Sequence, residues 1–252
     1  MSERVSLDNL IDSRNMRLLH WPEGHIEVVA ERVEELKELG VSALILTGRH
    51  RLADMRVLGK GHTGIVVAAE TLSGLLALKA MRSDSDRASM EEEARLLSAA
   101  NLVGVGPKVI AWSSNFLLME LVEGGYLSDW IRGITPDKGD DLRRVLRSVV
   151  DQARRLDEAG IDHGELVRLH RHVILRGKVP IIIDFESAST KRRPANVTTV
   201  IQSFFLNTKV SDVIGRLIGL PEREALLESL RVYRSKPSNE SYDALLTVAG
   251  LF

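Results

Sequence analysis

Between His25 and Leu39 the apolar residues Ile26, Val29, Val33, Leu36 and Leu39 recur at spacings of three and four, which predicts an amphipathic helix ended by Gly40. Val41 to Leu46 then reads as a short strand. From Met55 to Glu70 the chain is β-branched and apolar around a glycine-rich segment, Thr71 to Gly74 has turn chemistry, and Leu75 to Met81 is another apolar run. Together these predict antiparallel strands. After the polar stretch Ser83 to Arg87, helix formers with apolar Ala94 and Leu97 predict a helix over Met90 to Ala99, ending near Gly104. Val109 to Trp112 and Phe116 to Met119 predict two more strands. Glu123-Gly124-Gly125 breaks the pattern and reads as a hinge before helical sequence from Leu127 to Arg132. Asp140 to Ala159 carries Leu142, Val145, Leu146, Val149, Val150, Ala153 and Leu156, a long amphipathic helix closed by Gly160. Two short strands around Gly177 and C-terminal helices complete the reading.

Strands followed by helices place the chain in the α+β class. Its 252 residues suit one two-lobed unit or two small domains, and 44% hydrophobic content is ample for a packed core. A formal net charge of -1 gives no basic field that would make nucleic acid or an anionic membrane the principal partner. A ribonucleoprotein partner stays open. Cysteine is absent, which excludes a disulfide framework, a thiolate metal site and a Cys nucleophile. No apolar run approaches the roughly 18 residues of a membrane span, and the N-terminus has no leader pattern. The expectation is a soluble, cytoplasmic protein.

The chemistry begins at Gly59-Lys60-Gly61-His62-Thr63-Gly64. Glycines at this spacing let a backbone approach a polyphosphate, but dinucleotide-binding folds share the spacing and ordinary turns also use glycine. In the dinucleotide version the last glycine opens a helix, whereas Gly64 runs into Ile65-Val66-Val67-Ala68-Ala69, a stretch suited to a strand. The loop is therefore expected to join two strands, with Val66 able to lie against a nucleobase. Lys79, inside the apolar run Leu75 to Ala80, would be costly there unless paired. Glu93, in the helix that follows, can supply the pairing carboxylate.

The ordered set of glycine loop, strand lysine, helix glutamate and the later Phe116-Leu117-Leu118-Met119-Glu120-Leu121-Val122 resembles the protein-kinase superfamily. With Glu93-Ala94-Arg95 after the lysine and Gly104-Val105-Gly106-Pro107 after the helix, it most resembles the compact RIO-type atypical kinases and the small KEOPS-complex kinase. The resemblance spans roughly Met55 to Thr190. It implies a bilobal kinase-like fold with an antiparallel-sheet N-lobe and a shortened, mainly helical C-lobe. The expected divisions are an accessory helix-strand element over 1–52, the N-lobe over 53–122 and the C-lobe over 123–252. It further implies ATP bound between the lobes, with Gly59, Gly61 and Gly64 over the phosphates and Lys79 holding them. Glu93 would fix Lys79, Met119 would be the gatekeeper, and the Glu120 carbonyl and Val122 amide would meet adenine.

Ile181-Ile182-Ile183-Asp184-Phe185-Glu186 is an apolar strand delivering a carboxylate to its exit, where a metal ligand is needed. It resembles the Asp-Phe-Gly motif of the superfamily, with Glu186 in place of Gly. The loop His163-Gly164-Glu165-Leu166-Val167-Arg168-Leu169-His170-Arg171-His172 resembles the catalytic loop, but Glu165 stands for the catalytic Asp. Ungapped counting puts His170 at the metal-binding Asn position, whereas the apolar run Val173-Ile174-Leu175 favours His172. An imidazole there suits Mn²⁺ better than Mg²⁺, so one Mg²⁺ or Mn²⁺ held mainly by Asp184 with His172 is expected. Residues 185–252 are short for the usual helical substrate-binding subdomain, which favours the compact form. Lys191-Arg192-Arg193-Pro194 is either a solvated basic turn or a contact for an acidic partner. The expected activity is that of an atypical Ser/Thr protein kinase acting on a protein substrate or on itself. An aminoglycoside- or choline-kinase-like small-molecule phosphotransferase and an ATP-binding pseudokinase are the alternatives.

Overall fold

A computed structural model describes residues 2–86, 88–206 and 208–252, the side chains of Thr208 and Lys209 aside. Arg87, the last residue of the polar stretch noted above, lies outside the described residues. The chain divides into two compact units, residues 1–98 with 107–121 and residues 99–106 with 122–252.

The first unit contains β1 (Glu3–Ser6), α1 (Ile26–Glu38), β2 (Val41–Leu46), β3 (His50–Leu52), β4 (Met55–Val57), β5 (Gly59–Lys60), β6 (Gly64–Thr71) and β7 (Gly74–Met81). It continues with α2 (Glu91–Leu102), whose last turn passes into the second unit, and with β8 (Val109–Trp112) and β9 (Phe116–Glu120). A seven-stranded antiparallel sheet runs in the order β1-β2-β6-β7-β9-β8, with β5 paired to β6. The short β3 and β4 form a separate hairpin. Residues 1–52 thus supply two strands of this sheet, β2 being laddered to β6 from Val41↔Thr71 to Ile45↔Ala68.

Register decides which side chains meet. Directly opposed residues share a face and successive residues alternate. Val66 lies opposite Lys79, which lies opposite Leu117, while Ala68 lies opposite Ala77, which lies opposite Met119. Val66, Lys79 and Met119 therefore occupy one face. The other face presents Ile65, Val67, Ala69, Leu78, Ala80, Phe116 and Leu118 to a core shared with Leu10, Leu18 and Leu19 and with Val29, Val33 and Leu36 of α1. A slip of one residue would send Lys79 into that core, so the apolar pattern itself fixes the lysine's side. Arg32 of α1 is buried and donates to the Leu19 and Met81 carbonyls and to Asn115 Oδ1, the last two at 2.8 and 2.7 Å. It ties the N-terminal segment to the end of β7.

The second unit holds β10 (Gly125–Tyr126), α3 (Leu127–Gly133), α4 (Gly139–Glu158), α5 (Leu169–His172), β11 (Val173–Arg176) and β12 (Val179–Ile182). The helices α6 (Asn196–Phe205), α7 (Thr208–Ile218), α8 (Arg223–Ser235) and α9 (Asn239–Val248) follow. All seven apolar residues that predicted the long helix are buried along α4. Gln152 of α4 donates to the Pro180 carbonyl at 2.7 Å, which joins the helix to the three-stranded sheet β10-β11-β12. The predicted strands around Gly177 are β11 and β12, paired antiparallel so that the segment after β12 emerges beside the loop before β11. An antiparallel sheet followed by a helical region is the kinase-like α+β arrangement expected.

Candidate functional site

In the first unit the glycine loop is the turn of the β5–β6 hairpin, with Gly59 opposite Val66 and Lys60 opposite Ile65. The Gly61 amide donates to the Gly64 carbonyl at 2.8 Å and closes the turn. Gly64 is required by what lies beside it. A Cβ there would sit 2.9 Å from Lys79 Cγ and 3.0 Å from the Ala80 carbonyl oxygen, closer than side-chain carbons tolerate. The missing side chain is the space through which the Lys79 stem runs.

Lys79 Nζ stands 2.7 Å from Glu93 Oε1, with the two side chains 4% and 2% exposed. An ammonium so removed from water requires an opposing charge, and Glu93 enters from the first turns of α2 to provide it. Met119 and Glu120 lie at the end of β9, both half-buried, and the chain leaves the first unit after Leu121, so that Val122 opens the next segment. The Glu120 amide donates to the Lys108 carbonyl at 2.8 Å, which fixes this exit strand. Gly59, Gly61, Gly64, Val66, Lys79, Glu93, Met119 and Glu120 are thus carried by one sheet and the helix beside it.

In the second unit His163, Glu165, His172 and Asp184 come together. His163 is fully buried. Its Nε2 lies 3.2 Å from the Ile183 carbonyl, which can only accept, so this nitrogen carries the proton. Nδ1 then accepts from the Glu165 amide at 3.4 Å. Burial pushes the imidazole down to about 4, which keeps it a neutral strut beneath the strand end. Its ring packs edge-on against Phe185 at 4.8 Å. The His163 amide donates to Asn196 Oδ1 at 2.9 Å, and Asn196 is itself held by Asp157 and the Ile161 carbonyl.

Glu165 is half-buried and has defined neighbours. Ser187 Oγ donates to Oε1 at 3.2 Å, Arg168 donates to Oε2 at 3.4 Å, and His172 Nε2 is 3.9 Å from Oε2. Gly164 before it has φ +83, and a Cβ there would lie 2.6 Å from the Ser187 carbonyl. The glycine therefore lets the loop press against residues 184–187. Asp184 itself has φ 70, a left-handed backbone uncommon for a residue with a side chain and more readily adopted by Asp than by most.

His172 is the histidine that the loop sets beside Asp184, Nδ1 lying 3.7 Å from Oδ2. His170 is exposed, and its carbonyl accepts from Ser128. Among the described residues the buried His172 Nδ1 atom has no hydrogen-bond partner. Burial lowers the imidazole's pKa, while Asp184, Glu165 and Glu186 pull it the other way, and a neutral ring can ligate a cation. Among the described residues no group of three or more His, Cys, Asp and Glu side chains is arranged to hold a metal by itself. Asp184 and His172 Nδ1 would together offer one carboxylate and one imidazole nitrogen to a divalent ion.

Sequence reasoning missed Ser187 as a partner of Glu165, and it missed the Asn196–Asp157 pair that holds His163. Only the position of Ser187 three residues beyond Asp184 could have suggested the first. The second arises from a helix start that packs against the loop from 33 residues away.

The family model described as RIO domain matches residues 77–202, half of the chain. The chain is also 27% identical over 118 residues to an uncharacterized protein of Methanocaldococcus jannaschii, a stretch that covers 46% of this chain and 98% of that relative.

Proposed function

The chain belongs to the RIO-domain family, an atypical protein-kinase family whose chemistry is ATP-dependent phosphotransfer, and on that premise we propose that it is a Ser/Thr protein kinase that phosphorylates a protein substrate or itself. The observation that carries this reading is the buried Lys79–Glu93 pair. A lysine kept dry, charged and fixed in direction is suited to holding nucleotide phosphates and has little other use on a sheet face. Glu165 faces the acceptor hydroxyl, orients it and takes its proton as the oxygen attacks the γ-phosphorus and the bond to the β–γ bridging oxygen breaks, releasing ADP. Arg168 and Ser187 hold the carboxylate for that task. His163 keeps the segment around Ile183 in place, and with it Asp184. Asp184 and His172 would hold a divalent ion, which when bound supplies positive charge to the phosphates.

Incubation of the protein with [γ-³²P]ATP tests the reading. Label is expected on serine or threonine hydroxyls of the chain or of an added acceptor protein. Release of free phosphate alone, or label confined to small molecules in a metabolite mixture, would overturn it. Because imidazole favours Mn²⁺ over the harder Mg²⁺, turnover is expected to be several-fold faster with Mn²⁺, and His172→Asn is expected to move the preference toward Mg²⁺. Equal rates with both ions in both proteins would remove His172 from the ligand set.

A further inference from the structure

Lys60, within the glycine loop, places Nζ 4.4 Å from the centroid of the Trp21 ring, in the segment that precedes α1. The loop is held a second time by Arg82 just past β7. The Arg82 amide donates to the Thr63 carbonyl at 2.9 Å, and its guanidinium donates to the Gly61 carbonyl at 3.1 Å. That guanidinium is aimed by Asp84, which accepts from Nε and Nη2 at 2.7 and 2.6 Å. The next residue, Ser83, closes the circuit. Its amide donates to the Trp21 carbonyl at 2.9 Å, and its single hydroxyl proton is shared between that carbonyl, at 2.7 Å, and the Glu23 carboxylate.

Trp21 has its own foundation. Arg32 binds the carbonyls of Leu19 and Met81, and His20 Nδ1 accepts from the amides of Gly24 and His25 at 3.2 and 3.1 Å. The segment 19–25 is therefore a built structure resting on the end of β7; Trp21 reaches the loop at Lys60, and Arg82 reaches it at the Gly61 and Thr63 carbonyls. Glycine-rich turns are mobile when unsupported, and ordering one at the moment of binding costs affinity.

We propose that Trp21, Lys60 and Arg82 form a clamp that pre-organises the glycine loop, so that the N-terminal segment acts as a positioning element for the nucleotide. This rests on the ATP-dependent reading above and assigns a task to residues that the resemblance to kinases left without one. Trp21 and Arg82 do not act on the phosphates. They act through the backbone of Gly61 and Thr63 and through the direction of Lys60.

Two measurements test the clamp on the full chain. The first is hydrogen exchange of the amides of residues 60–64 without nucleotide, which reads the clamp whether or not ATP binds. Trp21→Leu, Lys60→Met and Arg82→Ala are each expected to speed exchange there, and Lys60→Arg, which can stack on the same ring, is expected to leave it near the wild-type rate. The second is the dissociation constant of a fluorescent ATP analogue. Trp21→Leu and Lys60→Met are each expected to raise it about two- to fivefold, as loss of an exposed cation–π contact implies. The double variant should be little worse than either single one, since both remove the same contact. Arg82→Ala is expected to raise it about tenfold, in line with a charged hydrogen bond. Wild-type exchange rates in all three variants would overturn the clamp. So would faster exchange with unchanged affinity, or a loss of affinity in Lys60→Met that Trp21→Leu does not share, because the lysine would then act on the phosphates directly. A wild-type protein that shows protected loop amides but binds no ATP analogue would instead refute the ATP reading and leave the clamp standing.

Discussion

Glu93→Ala is expected to destabilise the protein by about 3–5 kcal/mol and to abolish most phosphotransfer, because it removes the carboxylate 2.7 Å from an ammonium that is only 4% exposed. Lys79→Met on its own is expected to lower kcat/KM for ATP about 10²–10³-fold, the usual cost of deleting one fixed donor to a developing charge. The double variant Lys79→Met/Glu93→Leu separates the two effects. It replaces a buried ion pair by apolar side chains of similar volume, so its urea midpoint should return to or exceed that of the wild type, while phosphotransfer stays lost. Urea unfolding beside [γ-³²P]ATP transfer measures both. If Glu93→Ala unfolded at the wild-type midpoint, the pair would not be the buried unit described. If the double variant still transferred phosphate, Lys79 would not be the residue that holds it.

That pair also shows what the chain declared in advance. Lys79 was conspicuous because it interrupts the apolar run Leu75 to Ala80, and a charge in such a run must be answered by another; Glu93, in the helix that follows, could supply it. The register of β6, β7 and β9 then places Val66 and Met119 on the same side as Lys79. Gly64 was legible as a glycine for one reason, and the structure supplies another. A close approach to phosphate was expected, and the structure shows in addition that the Lys79 stem occupies the place of its side chain.

What stayed hidden was non-local. The pairing of β2 with β6 joins residues 23 to 30 positions apart, and no periodicity in either strand names its partner. The four-residue β1 and the three-residue β3 are too short and too rich in charge to signal a strand, whereas β4 falls inside the predicted run from Met55. Trp21, Arg82 and Ser187 carry no motif at all. Their contacts appear only when the chain is folded, because Trp21 meets the Lys60 ammonium, Arg82 the Gly61 and Thr63 carbonyls, and Ser187 the Glu165 carboxylate.

The same distinction governs Glu165, where the sequence departs most from the superfamily pattern. Glu165→Gln keeps the shape of the side chain and removes its basicity, and kcat is expected to fall about 10²–10⁴-fold with the KM for ATP nearly unchanged. Glu165→Asp is the sharper experiment. If the loop were a decayed version of the usual one, restoring Asp would raise activity. The geometry argues the opposite, since Ser187 Oγ meets Oε1 at 3.2 Å and Arg168 meets Oε2 at 3.4 Å, both at the reach of a glutamate. The turn at Gly164 is pressed against the Ser187 carbonyl and cannot easily move the backbone forward to make up the missing methylene. Aspartate would fall about 1 Å short, a displacement that can cost about a hundredfold. Glu165→Asp is therefore expected to be slower than the wild type under single-turnover conditions, and Ser187→Ala should lower the rate less than either. A gain of activity in Glu165→Asp would mean that the loop is built for the shorter residue and that glutamate is the defect, which is the result a pseudokinase would give.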